Sequence, residues 1–252
     1  MSQQERVRRL VRRLGFDVVR FRGETSDLVL GLLASQKIDL VADVGANAGQ
    51  FGLRLRAQGY SGAILSFEPT RGAFQELVRW AQKDSAWTCR RLALGARRDT
   101  VYMNISDNSV SSSLYEPTRE HLSAAPNAAA HRSEEVEMRR LDEVLPSSAR
   151  SVWLKVDTQG HEAHVLAGAG ETWPRLKVVQ LELSLRPMYE NEPVLHEMVA
   201  LMEGKGYVLT YLEPGLRDRQ SGAMLQCDGI FVREDHASAP DRSKQILDEA
   251  TS

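Results

Sequence analysis

From residue 37 onward, short apolar runs rich in β-branched residues alternate with segments of helical periodicity. The apolar runs predict seven strands, at 40–44, 64–68, 87–92, 152–157, 178–183, 208–211 and 230–232. The periodic segments predict helices at 49–58, 72–83, 162–167 and 194–204. Strands that alternate with helices build a mostly parallel sheet covered on both faces, so the predicted fold class is α/β.

The alternation stops between residues 95 and 144. Residues 101–105 predict one more strand, and the serine-, proline- and alanine-rich stretch that follows, up to residue 131, is typical of a long loop. Loops of this length in compact domains are usually functional covers or disordered segments. We expect a cover loop at about 104–140 to lie over the ligand site, with plain disorder as the alternative.

Both ends of the chain differ from the middle. Residues 5–14 place apolar side chains on one helical stripe between arginines, which predicts a short amphipathic helix, and a second helix is predicted at 28–35 after Ser26 or Asp27. The predicted organisation is an N-terminal helical extension (1–36), a main domain (37–235) and a flexible tail (236–252). The amphipathic helix either covers the main domain or binds a partner or a membrane surface.

Composition narrows the classes of function. The 252 residues are 42% hydrophobic and 26% charged with a net charge of −2, which excludes a disordered or fibrous chain and gives no basic surface for nucleic acid. Two cysteines are too few for a disulfide scaffold, and no apolar run is long enough to span a membrane. We therefore expect a cytoplasmic protein with a small-molecule ligand, and a homo-oligomer stays an open alternative.

A glycine-rich turn follows the first strand. Its glycines, Gly45 and Gly49, are spaced G-x-x-x-G and not G-x-G-x-x-G as in dinucleotide-binding turns. The nearby carboxylate of Asp43 opposes a phosphate but suits a cation, which favours S-adenosylmethionine over NAD. The cofactor residues predicted from this turn are Asp43, Gly45, Ala46, Asn47 and Gly49.

The next two strands end in further candidate cofactor residues. Glu68 ends the second strand, where a carboxylate can accept hydrogen bonds from ribose hydroxyls, and Pro69 turns the chain away from the sheet. Leu92 and Ala93 end the third strand and are suited to the walls of an adenine pocket. The alternatives are a solvated charge for Glu68 and ordinary core packing for the two apolar residues.

Four ionisable groups lie in the last part of the fourth strand or just after it: Lys155, Asp157, His161 and Glu162. Asp157 and His161 are candidates for a general base, with Lys155 beside them, so these three are the predicted catalytic residues. Asp157 is also predicted to bind the cofactor. Alternatively, Asp157, Glu162 and Glu182 hold a divalent cation such as Mg²⁺. A third interpretation is a structural Lys155–Asp157 ion pair, with Glu162 capping a helix.

The remaining histidines have no spacing that indicates a metal site. We predict that they are surface residues: His121, His131, His164 and His196.

Several ordered motifs together resemble the FkbM family of S-adenosylmethionine-dependent methyltransferases. The matching stretches, between about residues 40 and 232, are 43–49, 67–69, 93–95, 111–114, 141–142, 154–162 and 228–231. The resemblance implies a class I methyltransferase fold, a Rossmann-like seven-stranded sheet whose last strand is antiparallel. It also implies that the 43–49 turn and Glu68 bind S-adenosylmethionine. His161 departs from the small or aliphatic residue of the family pattern.

The resemblance further implies O-methylation. The hypothesis is an S-adenosylmethionine-dependent O-methyltransferase that acts on a hydroxyl of a sugar, a glycolipid or a secondary metabolite. Two alternatives remain at this point: an NAD-dependent oxidoreductase or epimerase, and a non-catalytic partner-binding module with a relic cofactor pocket.

Overall fold

The computed structural model describes residues 24–106, 112–125, 130–218 and 220–234. The predicted amphipathic helix at 5–14 and the predicted tail at 236–252 lie outside these residues. The second predicted helix is present as α1 (Glu24–Ser35), and it begins before Ser26 instead of after it. No helix in these described ranges is long and apolar enough to cross a membrane.

A seven-stranded sheet forms the centre of the molecule. Its strands are β1 (Leu40–Val44), β2 (Ala63–Phe67), β3 (Trp87–Arg90), β7 (Val152–Val156), β8 (Leu176–Ser184), β9 (Tyr207–Pro214) and β10 (Gln226–Arg233). The strand order is β3-β2-β1-β7-β8-β10-β9, and β10 runs antiparallel to both of its neighbours while the other pairs are parallel. All seven predicted strands are confirmed, as is the antiparallel last strand.

Helices cover both faces of this sheet. They are α2 (Gln50–Ala57), α3 (Arg71–Ala81), α4 (Arg119–Ala124), α5 (Leu141–Val144), α6 (Glu162–Ala167), a 3₁₀ helix (Gly170–Arg175) and α7 (Leu195–Gly204). Side-chain alternation along β1 separates two cores: Val41 packs in one with α1, α2 and α3, and Ala42 and Val44 pack in the other with α6 and α7. This two-sided burial confirms the predicted α/β layers.

A second, three-stranded sheet replaces much of the predicted cover loop. Its strands are β4 (Ala93–Leu94), β5 (Asp99–Ser106) and β6 (Ala130–Arg139), in the order β4-β6-β5. The predicted strand at 101–105 lies within β5, but the loop prediction is wrong for the ten residues of β6. β6 is not recognisable from the sequence, because its buried apolar side chains, Val136 and Met138, lie among charged residues.

Gly45 allows the loops after β1 and β7 to lie against each other. Its φ is +77°, and a Cβ at this position would lie 1.8 Å from the backbone oxygen of Asp157. Backbone atoms cannot swing away from such a collision, so one strand end would have to shift.

We therefore expect Gly45→Ala to lower the free energy of unfolding by at least about 3 kcal/mol. Gly59→Ala is the matched control, since Gly59 has a φ of +96° but no atom within 4 Å of the added Cβ. The control should show only the left-handed strain, about 1–2 kcal/mol. Urea denaturation of both variants checks this, and equal losses would contradict the steric explanation.

Candidate functional site

A cavity of about 260 Å³ opens at the carboxyl edge of the central sheet. Because the lining residues come from different strands, the cavity has two ends of different character. Leu92, Ala93 and Met103 lie on the β3 side and form an apolar end that is continuous with the core of the second sheet. On the other side, β7 and β10 bring charged groups to the cavity. These are Lys155, Asp157 and Asp228, together with Arg54 from α2.

Every backbone amide of the glycine-rich turn is already bonded within the protein. Gly45 and Ala46 both donate to the carbonyl of Phe67 at 3.0 Å, and Gly49 donates to the carbonyl of Ala46 at 2.9 Å. The remaining two amides find side-chain acceptors, since Asn47 N donates to Glu68 Oε2 at 2.9 Å and Ala48 N to Asn47 Oδ1 at 2.6 Å. The turn therefore offers no free amides to a phosphate, although phosphate-binding turns depend on them.

Glu68 joins the glycine-rich turn to the start of α3. Its Oε1 accepts hydrogen bonds from Thr70 N at 2.8 Å and Thr70 Oγ1 at 2.6 Å, while Oε2 accepts the one from Asn47 N. Burial raises the pKa of Glu68, and these hydrogen bonds oppose the rise. A carboxylate has about four acceptor positions. Three of these positions are used within the protein, which leaves one open for a ligand. The contact with both ribose hydroxyls stays a prediction.

Lys155 is buried between two carboxylates on adjacent strands. Asp43 and Lys155 are register partners on β1 and β7, with Lys155 Nζ 3.7 Å from Asp43 Oδ1 and 3.1 Å from Asp157 Oδ2. Burial alone would lower the pKa of Lys155, but Asp157, Asp43 and Asp228 together raise it above its usual value. The ammonium therefore stays charged, and its other neighbour is the face of Phe51, with Nζ 5.4 Å from the ring centroid.

Asp228 is the carboxylate that completes the charged end. Burial, and next the charge of Asp157, raise the pKa of Asp228 to about 6, against the opposing effect of Lys155. It is therefore largely ionised at neutral pH. Arg54, also in the cavity wall, makes a 3.8 Å ion pair with Glu213 and lies over the Phe51 ring at 5.5 Å. An anion and a cation thus face the same end of the cavity.

The structure does not assemble the predicted metal ligands. Both oxygens of Glu162 turn back to their own loop, where Oε1 accepts from Thr158 N at 2.7 Å and Oε2 from Gly160 N at 3.0 Å. Gln159 Nε2 donates to Asp157 Oδ1 at 2.9 Å and to Glu182 Oε2 at 2.7 Å, so an amide lies between these two carboxylates. Across the described ranges, no group of three or more His, Cys, Asp or Glu side chains could hold a metal ion. The described residues thus do not form the predicted Asp157–Glu162–Glu182 metal site.

Glu162 instead stabilises the turn that precedes α6. It is the first residue of this helix, and its carboxylate accepts three hydrogen bonds from Thr158 and Gly160. Burial raises the pKa of Glu162 to about 7. Glu182, on β8, has its pKa raised well above the usual range by burial and by its carboxylate neighbours, Asp157 first.

His161 lies at the apolar end of the cavity, away from Asp228. Its Nδ1 is 3.2 Å from the hydroxyl of Tyr115, which also lies 3.3 Å from Nδ1 of His164. The two imidazoles stack with centroids 4.4 Å apart. Burial, and next the charge of His164, lower the pKa of His161 to about 4. Its buried Nε2 has no hydrogen-bond partner among the described residues and points toward Gly95.

The cavity brings together most of the residues predicted from the sequence. Those in its wall are Gly45, Ala46, Asn47, Glu68, Pro69, Leu92, Ala93, Lys155, Asp157 and His161. Those outside its wall are Asp43, Gly49, Glu162 and Glu182. Asp43 is fully buried behind Lys155, so it acts on the cavity through that side chain. The described part of the predicted cover segment contributes Ser112 and Leu114, and Met103 lies just before it.

Some residues at the site were not predicted. Arg54, Phe51 and Gln159 line the cavity but had no role from their sequence context, and Asp228 was part of a matched motif without a role. Asp228 lies opposite Glu182 on the antiparallel strand β10. The sequence alone does not show this pairing, because it depends on the strand register. The surface prediction for His121 is wrong, since this side chain is 2% exposed and packs edge-on against Tyr189.

The strand order and the antiparallel β10 define the sheet of class I methyltransferases. A family model described as the methyltransferase FkbM domain matches residues 43–209. The chain belongs to the FkbM family of methyltransferases, which confirms the predicted resemblance and the predicted methyltransferase function.

The chain is similar to several proteins that are named as methyltransferases. The chain is 28% identical over 219 residues to methyltransferase sdnD of Sordaria araneosa, covering 77% of this chain and 80% of that protein. Among solved structures, it resembles magnesium protoporphyrin IX methyltransferase of Synechocystis with bound SAM, at 12% identity and a TM-score of 0.46, covering 93% and 98% of the two chains. It also resembles 1,6-didemethyltoxoflavin-N1-methyltransferase of Burkholderia thailandensis, at 11% identity and a TM-score of 0.46, covering 84% and 78%. At these TM-scores, the fold assignment depends on the strand order instead.

The depressed pKa of His161 predicts a pH-dependent stability. A histidine whose pKa is about 4 in the folded state, against an ordinary 6.5, stabilises the fold above pH 6.5 and loses this contribution as the pH falls toward 4. The contribution is about 3 kcal/mol at most. Between about pH 7 and pH 4, the stability difference between wild type and His161→Gln should therefore shrink by up to this amount.

Urea denaturation across this pH range measures the difference. Buried carboxylates with raised pKa values change stability in the opposite direction, but they are common to both proteins and cancel in the comparison. His196→Gln, at an exposed position on α7, is the control. A constant difference between wild type and His161→Gln would show that His161 is not held neutral.

Proposed function

We propose that the protein is an S-adenosylmethionine-dependent O-methyltransferase of a hydroxyl on a sugar, a glycolipid or a secondary metabolite, acting in the cytoplasm. The observation that supports this cofactor is the charge of the cavity wall. Its carboxylates are Glu68, Asp157 and Asp228, and its cations are Arg54 and Lys155, which leaves one formal negative charge. S-adenosylmethionine carries one net positive charge, from a sulfonium, an ammonium and a carboxylate, so the charges are complementary.

The two ends of the cavity suit the two ends of this cofactor. Leu92 and Ala93 would contact the adenine, and Glu68 would accept a hydrogen bond from the ribose. At the charged end, the α-ammonium would face Asp228 and the α-carboxylate would face Arg54, whose planar guanidinium suits a carboxylate. Gly45, Ala46 and Asn47 would form the wall between these ends.

NAD fits the same cavity poorly. Its pyrophosphate is anionic, and the turn has no free backbone amide to donate to it, because each one is bonded to an internal acceptor. The net negative charge of the wall would repel the pyrophosphate as well. These observations support the methyltransferase proposal over the oxidoreductase alternative.

Asp157 is the residue that we propose as general base. About a third of its side chain is exposed at the cavity, and Lys155 and Gln159 hold one carboxylate oxygen each. S-adenosylmethionine supplies a methyl group activated by its positive sulfur. The acceptor oxygen forms the new bond to the methyl carbon as the carbon–sulfur bond breaks and its electron pair goes to sulfur, while Asp157 takes the hydroxyl proton. His161, at the apolar end, stays a candidate for this role from the sequence.

Calorimetric titration of the ligand-free protein tests the cofactor. We expect binding of S-adenosylmethionine and S-adenosylhomocysteine, and no binding of NAD. Because 5′-methylthioadenosine lacks the amino-acid end, it should bind at least about tenfold more weakly than S-adenosylhomocysteine, a loss of about 1.4 kcal/mol. Binding of NAD, with silence toward the adenosyl ligands, would contradict the proposal.

Asp157→Asn tests the base. The amide keeps the shape of the side chain but cannot take a proton, so turnover should fall by at least about 100-fold. The dissociation constant for S-adenosylmethionine should change by less than about tenfold, since other residues supply most of its contacts. Transfer of a labelled methyl group to the acceptor identified for the wild type measures turnover. Glu76→Gln, on the exposed face of α3, is the control, and near-normal turnover of Asp157→Asn would refute the role.

A further inference from the structure

The side chain of Gln159 lies between two acidic groups. Its Nε2 is 2.9 Å from Asp157 Oδ1 and 2.7 Å from Glu182 Oε2, so each hydrogen of the amide is directed to a different carboxyl group. The hydroxyl of Tyr189 donates to Gln159 Oε1 at 2.8 Å, which fixes the orientation of the amide. The amide is thus fully hydrogen-bonded and held from both ends.

The backbone at Gln159 is held in an uncommon conformation. Its φ of +58° lies in the left-handed region, which costs about 1 kcal/mol or more for a residue with a Cβ. Ser113 Oγ donates to the carbonyl oxygen of Gln159 at 2.6 Å, and Glu162 accepts from Gly160 N in the next peptide. These contacts hold the turn so that the side chain points back toward Asp157.

Two carboxyl groups that share one neighbouring atom need a cation or hydrogen-bond donors between them to offset their repulsion. A divalent cation with oxygen ligands is one common solution, and a pair of N–H donors is another. Here the position holds an amide nitrogen, which donates hydrogen bonds and does not ligate a hard cation. The residues therefore do not fit a divalent ion, and the same carboxyl groups are held without one.

We propose that Gln159 is a positioning residue, whose side-chain amide takes the place of a divalent cation between Asp157 and Glu182 and orients Asp157 for methyl transfer without a metal. The inference rests on the proposed function, because it assigns a purpose to the orientation of Asp157. It answers a question that the sequence left open, namely whether Asp157 acts as a base or as a metal ligand.

Binding of Mn²⁺ tests the inference without an acceptor. Gln159→Glu keeps the length of the side chain and replaces the bridging amide by a third carboxyl group. We expect the wild type to bind no Mn²⁺ stoichiometrically and Gln159→Glu to bind one ion per chain, measured by titration calorimetry and by the loss of the free Mn²⁺ electron paramagnetic resonance signal. Adding Asp157→Asn to Gln159→Glu removes one ligand and should weaken this binding at least tenfold.

Each outcome decides the matter. Gain of a site in Gln159→Glu that depends on Asp157 supports the inference, and stoichiometric binding by the wild type overturns it. A folded Gln159→Glu that binds no Mn²⁺ also overturns it, because the two carboxyl groups would then not be held at the spacing of a cation site. Cooperative thermal unfolding shows whether the variant is folded.

Turnover gives an independent readout once an acceptor is known. Chelation with EDTA should leave wild-type turnover unchanged, while Gln159→Glu should lose at least tenfold in EDTA and recover with Mg²⁺. Wild-type turnover that needs a divalent ion would overturn the inference. Failure of the proposed function is distinguishable, since it would appear as an absence of S-adenosylmethionine binding, which the Mn²⁺ experiment does not measure.

Discussion

The site depends on the electrostatic interaction of the Lys155 ammonium with the carboxylates of Asp43 and Asp157. β1 and β7 are buried along their whole length, yet each carries one charged residue at the same register position, Asp43 and Lys155. Neither charge is stable there alone, because removing one partner of a buried pair costs about 3–5 kcal/mol. The ammonium also contacts Asp157 at the strand end. The buried cation that compensates Asp43 in the core therefore also holds the Asp157 carboxylate at the edge of the cavity.

This arrangement explains why so many acidic groups lie together. Asp157, Glu182 and Asp228 come from three adjacent strands, β7, β8 and β10, and burial with mutual repulsion raises the pKa of Asp228 and Glu182. Lys155 and the amide of Gln159 compensate by contacting opposite oxygens of Asp157. Asp157 is thereby held in one orientation, while about a third of its side chain stays exposed at the cavity. A proton acceptor in a cavity needs both properties.

The sequence was sufficient for the central sheet because its strands are short, apolar and separated by helical periodicity. The glycine turn and Glu68 were found for the same reason, since a parallel sheet collects the residues that follow its strands at one edge. β6 was missed because its buried side chains, Val136 and Met138, stand among charged ones. His121 was misjudged because burial against Tyr189 depends on a segment far away in the chain.

Side-chain direction was the harder problem. Asp157, His161 and Glu162 were all predicted at the edge of the sheet, but Glu162 turns back to its own loop and His161 turns toward the second sheet. Gln159, whose type gave no chemical signal, contacts Asp157 and Glu182 from a backbone in the left-handed region. A sequence pattern specifies the strand that a residue follows, whereas the dihedral angles of a turn decide which of its side chains meets the ligand. The division of roles among these neighbours could therefore come only from the structure.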